Sequence, residues 1–185
     1  FAGTQNTGLA FGGYVNAVSS ATEEYNGTSW ATGGSLNVGR FGLGGIGTQN
    51  VALAFGGGNL SANTCVEHYN GSAWSTGTVL INARRRTAGA GEQYDGKAFG
   101  GEAPSVLNFT EAYNGGTWSV DKPLTTSRSA LAGAGTQTSA LVFGGLTPSD
   151  ANNTEEYNCT TTGNCAGAWS AGGAVITQRD DMHFG

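Results

Sequence analysis

One interval governs this chain. Phe11, Phe55, Phe99 and Phe143 are each followed by two glycines, and neighbours in the series lie 44 residues apart. Tyr25, Tyr69, Tyr113 and Tyr157 keep the same interval. Trp30, Trp74 and Trp118 follow it too, and Trp169 comes 51 residues after Trp118. Arg40, Arg84, Arg128 and Arg179 repeat that pattern of two short steps and one long one. The extra residues fall between Tyr157 and Trp169, as a seven-residue insertion at 159–165. A fixed period of this length marks a repeat fold, in which each unit buries its apolar face only by packing on its neighbours.

Within a unit the pattern is that of short strands. In the second unit, residues 40–47 read as a glycine-rich strand with one wet and one dry face, and 48–50 as a turn. Residues 51–55 are mostly apolar, which predicts a strand buried on both faces and ended by Gly56 and Gly57. Residues 66–69 make a third strand and 72–76 a fourth, joined through Asn70-Gly71, whose two turn positions are both expected at positive φ. No helical period competes. The expected fold is all-β: a propeller of four blades, each of four antiparallel strands, spanning residues 1–185 as one domain. The 33 glycines follow no three-residue period, and the aromatic residues argue against disorder.

The Gly-Gly pair after an apolar strand, the Glu-x-Tyr, the Trp about five residues on and the Arg opening the next strand resemble the kelch family. The resemblance covers the whole chain and implies one four-stranded blade per motif. The stretches Ala-Phe-Gly-Gly, Thr-Glu-Glu-Tyr-Asn-Gly-Thr-Ser-Trp and Gly-Thr-Gln-Asn are similar to kelch-type repeats in tail-fibre and other virion proteins of tailed bacteriophages. The blade count departs from the family, whose rings usually hold more than four.

The two ends carry complementary pieces of one unit. Gly3 and Gln5 sit one period before Gly47 and Gln49, so the chain begins late in a first strand. It finishes on Arg179 to Gly185, which reads as a first strand. Pairing of the N- and C-terminal strands is therefore expected to close the ring and to remove open sheet edges. The chain opens on Phe1 and shows no signal-peptide pattern, so a processed product or a piece of a longer chain is expected.

The repeated residues read as scaffold. The Tyr and Trp sets are expected to fill the wedges between blades. Glu23, Glu67, Glu111 and Glu155 are expected to pair with the Arg set or with strand ends. Function is sought where the repeat breaks. The connections at 14–21, 58–63, 102–109 and 146–153 differ in every unit and all join strand two to strand three, hence share one face. They supply Tyr14, Asn59, Asn63, Asn108, Asp150, Asn152 and Asn153 as candidate ligand-binding residues, whose short amides and hydroxyls suit sugar hydroxyls or a protein surface.

Cys159 and Cys165 flank the insertion, and a disulfide closing that loop is expected, with an oxidising setting. Cys65 is read as a lone thiol. Six Asn-x-Ser/Thr sequons occur, at Asn26, Asn59, Asn70, Asn108, Asn152 and Asn158, as candidate glycosylation sites. Catalytic patterns are thin. Asp180, Asp181 and His183 lie on the expected closing strand, where alternation sends them to different faces. His68 stands where two other units have Glu24 and Glu156, and is read as a surface position. Of Arg84-Arg85-Arg86, one is scaffold and two are read as an anion contact or a solvated edge. No metal or cofactor set is expected.

The net charge of −5 opposes nucleic-acid binding, and no apolar run approaches the roughly 18–20 residues of a membrane span. The expected function is a non-enzymatic adhesion or structural module of an extracellular particle or phage appendage. Its expected partners are a host-surface glycan or protein, or neighbouring subunits in a homo-oligomer. Two other classes stand beside it: a sugar-active enzyme of the galactose-oxidase-like kind, and a kelch adaptor for protein partners.

Overall fold

The structure, a computed structural model, describes residues 1–147, 151–159 and 167–176. The described residues form four antiparallel four-stranded sheets and no helix, a propeller-like architecture. Sheet one orders β1 (Ala2–Thr4), β2 (Thr7–Phe11), β5 (Thr22–Tyr25) and β6 (Trp30–Thr32), and carries a two-strand hairpin of β3 (Tyr14–Val15) and β4 (Ala17–Val18) in its loop. Sheet two orders β7 (Phe41–Gly47), β8 (Ala52–Gly58), β9 (Val66–Tyr69) and β10 (Trp74–Thr76). Sheet three holds β11 (Ala88–Glu92), β12 (Asp95–Phe99), β13 (Thr110–Tyr113) and β14 (Trp118–Asp121). Sheet four holds β15 (Ala132–Gly135), β16 (Ser139–Phe143), β17 (Thr154–Asn158) and β18 (Ala168–Gly172). The register repeats with the sequence: Phe11 faces Thr22, Phe55 faces Val66, Phe99 faces Thr110 and Phe143 faces Thr154.

The Gly-Gly pair ties each sheet to the next. Gly13, Gly57 and Gly101 donate their backbone N–H to the carbonyls of Arg40, Arg84 and Arg128, at 2.8–2.9 Å. The preceding glycines have positive φ, and a Cβ on Gly12, Gly56 or Gly100 would lie only 2.6–2.7 Å from the same carbonyls. Both the backbone conformation and the close approach exclude a side chain.

The recurring Arg and Glu meet inside sheets two, three and four. Arg40 pairs with Glu67, Arg84 with Glu111 and Arg128 with Glu155, and every side chain is at most 2% exposed. Each carboxylate also accepts backbone N–H groups of the incoming linker: Asn37 on Glu67, Ile81 and Asn82 on Glu111, Thr125 and Thr126 on Glu155. A buried ion pair persists only when further hydrogen bonds compensate desolvation, and these do so. Burial still holds the Arg84 and Arg128 guanidinium groups below their usual range, against the pull of Glu111 and Glu155.

Between sheets the contacts are aromatic. Phe11 meets Trp74, Phe55 meets Trp118 and Phe99 meets Trp169 edge-on, with centroids 4.9–5.8 Å apart. Tyr69, Tyr113 and Tyr157 lie buried beside those tryptophans. Trp30 of sheet one is 50% exposed, whereas its three counterparts are 6–7% exposed.

Four local expectations need correction. The second strand of sheet two does not stop at Phe55 but runs through Gly56 and Gly57 to Gly58, because Phe41 of β7 pairs with Gly58. At the Asn-Gly turns only the glycines, Gly27, Gly71 and Gly115, take positive φ. The asparagines instead accept two backbone N–H groups on Oδ1, as Asn70 does from Ser72 and Ala73 at 2.9–3.0 Å, which closes a four-residue loop. His68 is half-buried rather than a free surface residue: its Nε2 lies 3.1 Å from the Tyr113 hydroxyl, and its ring stacks on Tyr94. Arg85, read as an anion contact or a solvated edge, is one-third exposed and is not a free charge, since it forms an ion pair with Glu102 at 3.0 Å. The expected closing strand at 179–185, with Arg179, Asp180, Asp181 and His183, lies outside the described residues.

Candidate functional site: the loop face and the central cavity

Antiparallel order fixes which residues share a face. Each second strand ends, and each third strand begins, at the end of the sheet where the first strand starts. The linkers between sheets return to that same end: Arg40, Arg84 and Arg128 donate their backbone N–H to Ser19, Asn63 and Leu107 in the variable loops. The four loops and the linkers thus build one face. It carries Tyr14, Val15, Leu60 and Phe109 in loops and Val79 and Ile81 in a linker, all exposed.

The candidate ligand residues divide on inspection. Tyr14 is 61% exposed, packs edge-on against Phe41 at 5.6 Å and lines the mouth of a cavity. Asn59 is exposed at its loop tip. Asn63 instead turns inward, its Oδ1 accepting the Cys65 N–H at 3.1 Å. Asn108 uses its side-chain amide on the Leu124 carbonyl at 3.3 Å. Asn152 and Asn153 are half-buried, and the Asn153 carbonyl accepts from Arg128 Nη1 at 3.1 Å. Asp150 lies outside the described residues. Of the sequons, Asn26, Asn59, Asn70 and Asn158 are exposed, and Asn108 and Asn152 half-buried. Cys65 is a free thiol; Cys159 packs against the core of sheets three and four, and its expected partner Cys165 lies outside the described residues.

No family model matches this chain, and no curated protein matches it. Its chemistry is therefore read from its own residues.

The cavity lies among the four first strands. Its volume is about 910 Å³, and residues of β1, β7, β11 and β15 all line it. At the loop-face end its lining includes Gly13, Tyr14, Phe41, Gly42 and Thr87; at the far end it includes Thr4, Gln5, Gly47, Gly91 and Gly135. A short collar of backbone hydrogen bonds runs round the loop-face end, from Arg86 N–H to the Gly42 carbonyl and from Ala130 N–H to the Arg86 carbonyl, at 2.6 and 2.9 Å. Among the described residues its lining holds no Asp, Glu, Lys, Arg or His side chain.

Two titratable side chains, Lys97 and His68, sit in the seams between sheets. Lys97 occupies the position held by Leu9, Leu53 and Leu141 in the other units. It is 2% exposed, pairs with Asp121 and lies 3.9 Å over the Tyr157 ring. Burial lowers the His68 imidazole, whose Nδ1 is buried without a partner. Among the described residues no group of three His, Cys, Asp or Glu could hold a metal ion.

One repeated role escaped the sequence reading. Gln49, Gln93 and Gln137 each donate their amide to two carbonyls of the preceding sheet: Gly8 and Tyr25, Ala52 and Tyr69, Gly96 and Tyr113. Their 44-residue spacing was visible, but a turn glutamine carries no sign of what it reaches.

Proposed function

We propose that this chain is a closed, four-bladed kelch-like propeller that serves as a non-enzymatic adhesion module of an extracellular particle or phage appendage. Three arrangements support closure. First strands of all four sheets line one cavity. Gln5 is the counterpart of the three bridging glutamines, and Ala140 and Tyr157, counterparts of the residues they bridge, line a recess of about 290 Å³ on sheet four. In the repeat, Arg179 is the sequence counterpart of Arg40, Arg84 and Arg128, which pair with Glu67, Glu111 and Glu155, and Glu23 is the remaining member of the Glu series.

The observation that carries the adhesion reading is the concentration of exposed Tyr14, Val15, Leu60 and Phe109 on the face that varies between repeats. Exposed apolar and aromatic groups gathered on variable loops of a rigid scaffold suit a binding surface. The ligand is a host-surface glycan or protein. An extracellular setting goes with a Cys159–Cys165 disulfide, readable as an intact mass two hydrogens lighter than the reduced chain.

The test is binding to a panel of bacterial cells and to a glycan array. Replacing the loops at 14–21, 58–63, 102–109 and 146–153 by short Gly-Ser turns removes binding on this account. Binding that survives all four replacements overturns it.

A further inference from the structure

We infer that the seam between sheets two and three is an acid-sensitive joint, in which His68 receives the seam tyrosine and ceases to do so when it takes up a proton. The repeat shows how this seam differs from its neighbours. Tyr69 gives its hydroxyl to Glu24 and Tyr157 gives its own to Asp121, both carboxylates. Tyr113 meets an imidazole instead, because His68 stands where the first unit has Glu24. An ordinary carboxylate keeps its acceptor role down to about pH 4, whereas an ordinary imidazole takes a proton near about pH 6.5.

The contacts of the ring are with neutral groups. Its Nε2 lies 3.1 Å from the Tyr113 hydroxyl of β13, and its face stacks on Tyr94, in the turn between β11 and β12, at 5.8 Å between centroids. Within its own sheet His68 pairs in register with Leu53 of β8 and Ser75 of β10. Gly77 lies so close that a Cβ there would come within 2.7 Å of the ring. Among the described residues, Tyr94 and Tyr113 are the titratable side chains that face it. A phenol carries no negative charge below about pH 10, so neither offers an imidazolium a counter-charge.

Protonation changes what both ring nitrogens can do. An imidazolium carries N–H on each, so Nε2 can no longer accept the Tyr113 proton. Nδ1 is buried, and among the described residues it has no hydrogen-bond partner to receive an N–H. A charge without a counter-charge and a donor without an acceptor both oppose burial. The Tyr94 ring face offers only a small cation–π attraction in return. Desolvation accordingly lowers His68 below its usual value. The unfolded chain takes up a proton that the folded chain resists. The contribution of the joint to stability is therefore complete above about pH 6.5 and is lost as pH falls from there through the lower folded value.

The experiment uses the full chain with His183, the other histidine, replaced as His183→Asn, so that His68 titrates alone. Proton NMR of its Hε1 against pH places the folded imidazole below about 6.5. Thermal melts of the same chain show Tm falling by about 2–4 °C between roughly pH 7 and 5.5. His68→Gln offers Tyr113 an amide oxygen that does not titrate, and removes the fall in that window. His68→Glu installs the acceptor of the first unit and moves the fall to the carboxylate range, below about pH 5. The NMR titration needs no substitution at His68, so it decides the matter even where a variant fails to fold. A folded His68 that titrates at or above about 6.5 overturns the proposal. So does a Tm slope in that window which both His68 variants share with their parent.

Discussion

The Tyr69 phenol donates a 2.5 Å hydrogen bond to the Glu24 carboxylate across the seam between the first two sheets. The same tyrosine recurs at each later seam with a different partner. Tyr113 meets His68 at 3.1 Å, and Tyr157 donates to Asp121 at 3.1–3.2 Å because Ala112 stands where Glu24 and His68 stand in the earlier units. The seam keeps its hydroxyl and changes what receives it.

Alkaline sensitivity follows from these phenols. Burial, then the hydrogen bond and charge of Glu24, push Tyr69 up to about 12; burial and the Asp121 charge push Tyr157 up to about 12. Burial and Tyr94 raise Tyr113 as well. The folded chain therefore keeps protons that the unfolded chain releases near pH 10. Their contribution to stability is complete below about pH 10 and is lost as pH rises toward 12. Thermal melts from about pH 8 to 12 show Tm falling above pH 10, and Tyr69→Phe makes the fall shallower. A Tm independent of pH in that window, or an unchanged slope in Tyr69→Phe, contradicts this.

Breaking one buried pair is costly in a way that removing both members is not. Glu111→Gln leaves the Arg84 guanidinium with no counter-charge in a site where it is fully buried. The expected loss is about 3–5 kcal/mol in urea unfolding. Arg84→Met combined with Glu111→Leu costs less than either charge-stranding single change. Equal losses for Glu111→Gln and an exposed control such as Glu156→Gln would refute the burial argument.

Glycine is required at Gly100 and not at Gly173. Gly100 has φ +63° and would place a Cβ 2.7 Å from the Arg128 carbonyl, whereas nothing lies within 4 Å of a Cβ at Gly173. Gly100→Ala is expected to destabilise by about 1–3 kcal/mol, through strain and a parted seam. Gly173→Ala is expected within about 0.5 kcal/mol of the parent. The midpoints of two urea titrations decide it.

The repeat made the architecture legible. A 44-residue interval shared by Phe, Tyr, Trp and Arg located sixteen strands in four sheets, since each series marks a fixed place in the ladder. The Arg–Glu pairing was legible for the same reason: two charges in fixed phase within low overall charge need each other. Differences between units were harder to read. His68 looked like an exposed variation and Lys97 carried no sign of its role, because a sequence does not show that strand-three and strand-two positions face the next sheet. Asn63 and Asn108 looked free for a ligand, yet their side chains hold their own loops and linkers. The cavity left no pattern of its own, being walled by the glycines and alanines that also serve the scaffold.

Closure of the ring is the claim on which the cavity and the adhesive face both depend, and one cross-link tests it. Gln5→Cys and Ser139→Cys, in a Cys65→Ser background, place thiols on sheet one and on the sheet-four recess that Ser139, Ala140 and Tyr157 line. Closure predicts that mild oxidation of the dilute chain forms a disulfide between these two positions within one molecule, seen by non-reducing peptide mass mapping at monomer mass. Thiols that stay reduced, or that join only separate chains, would contradict it.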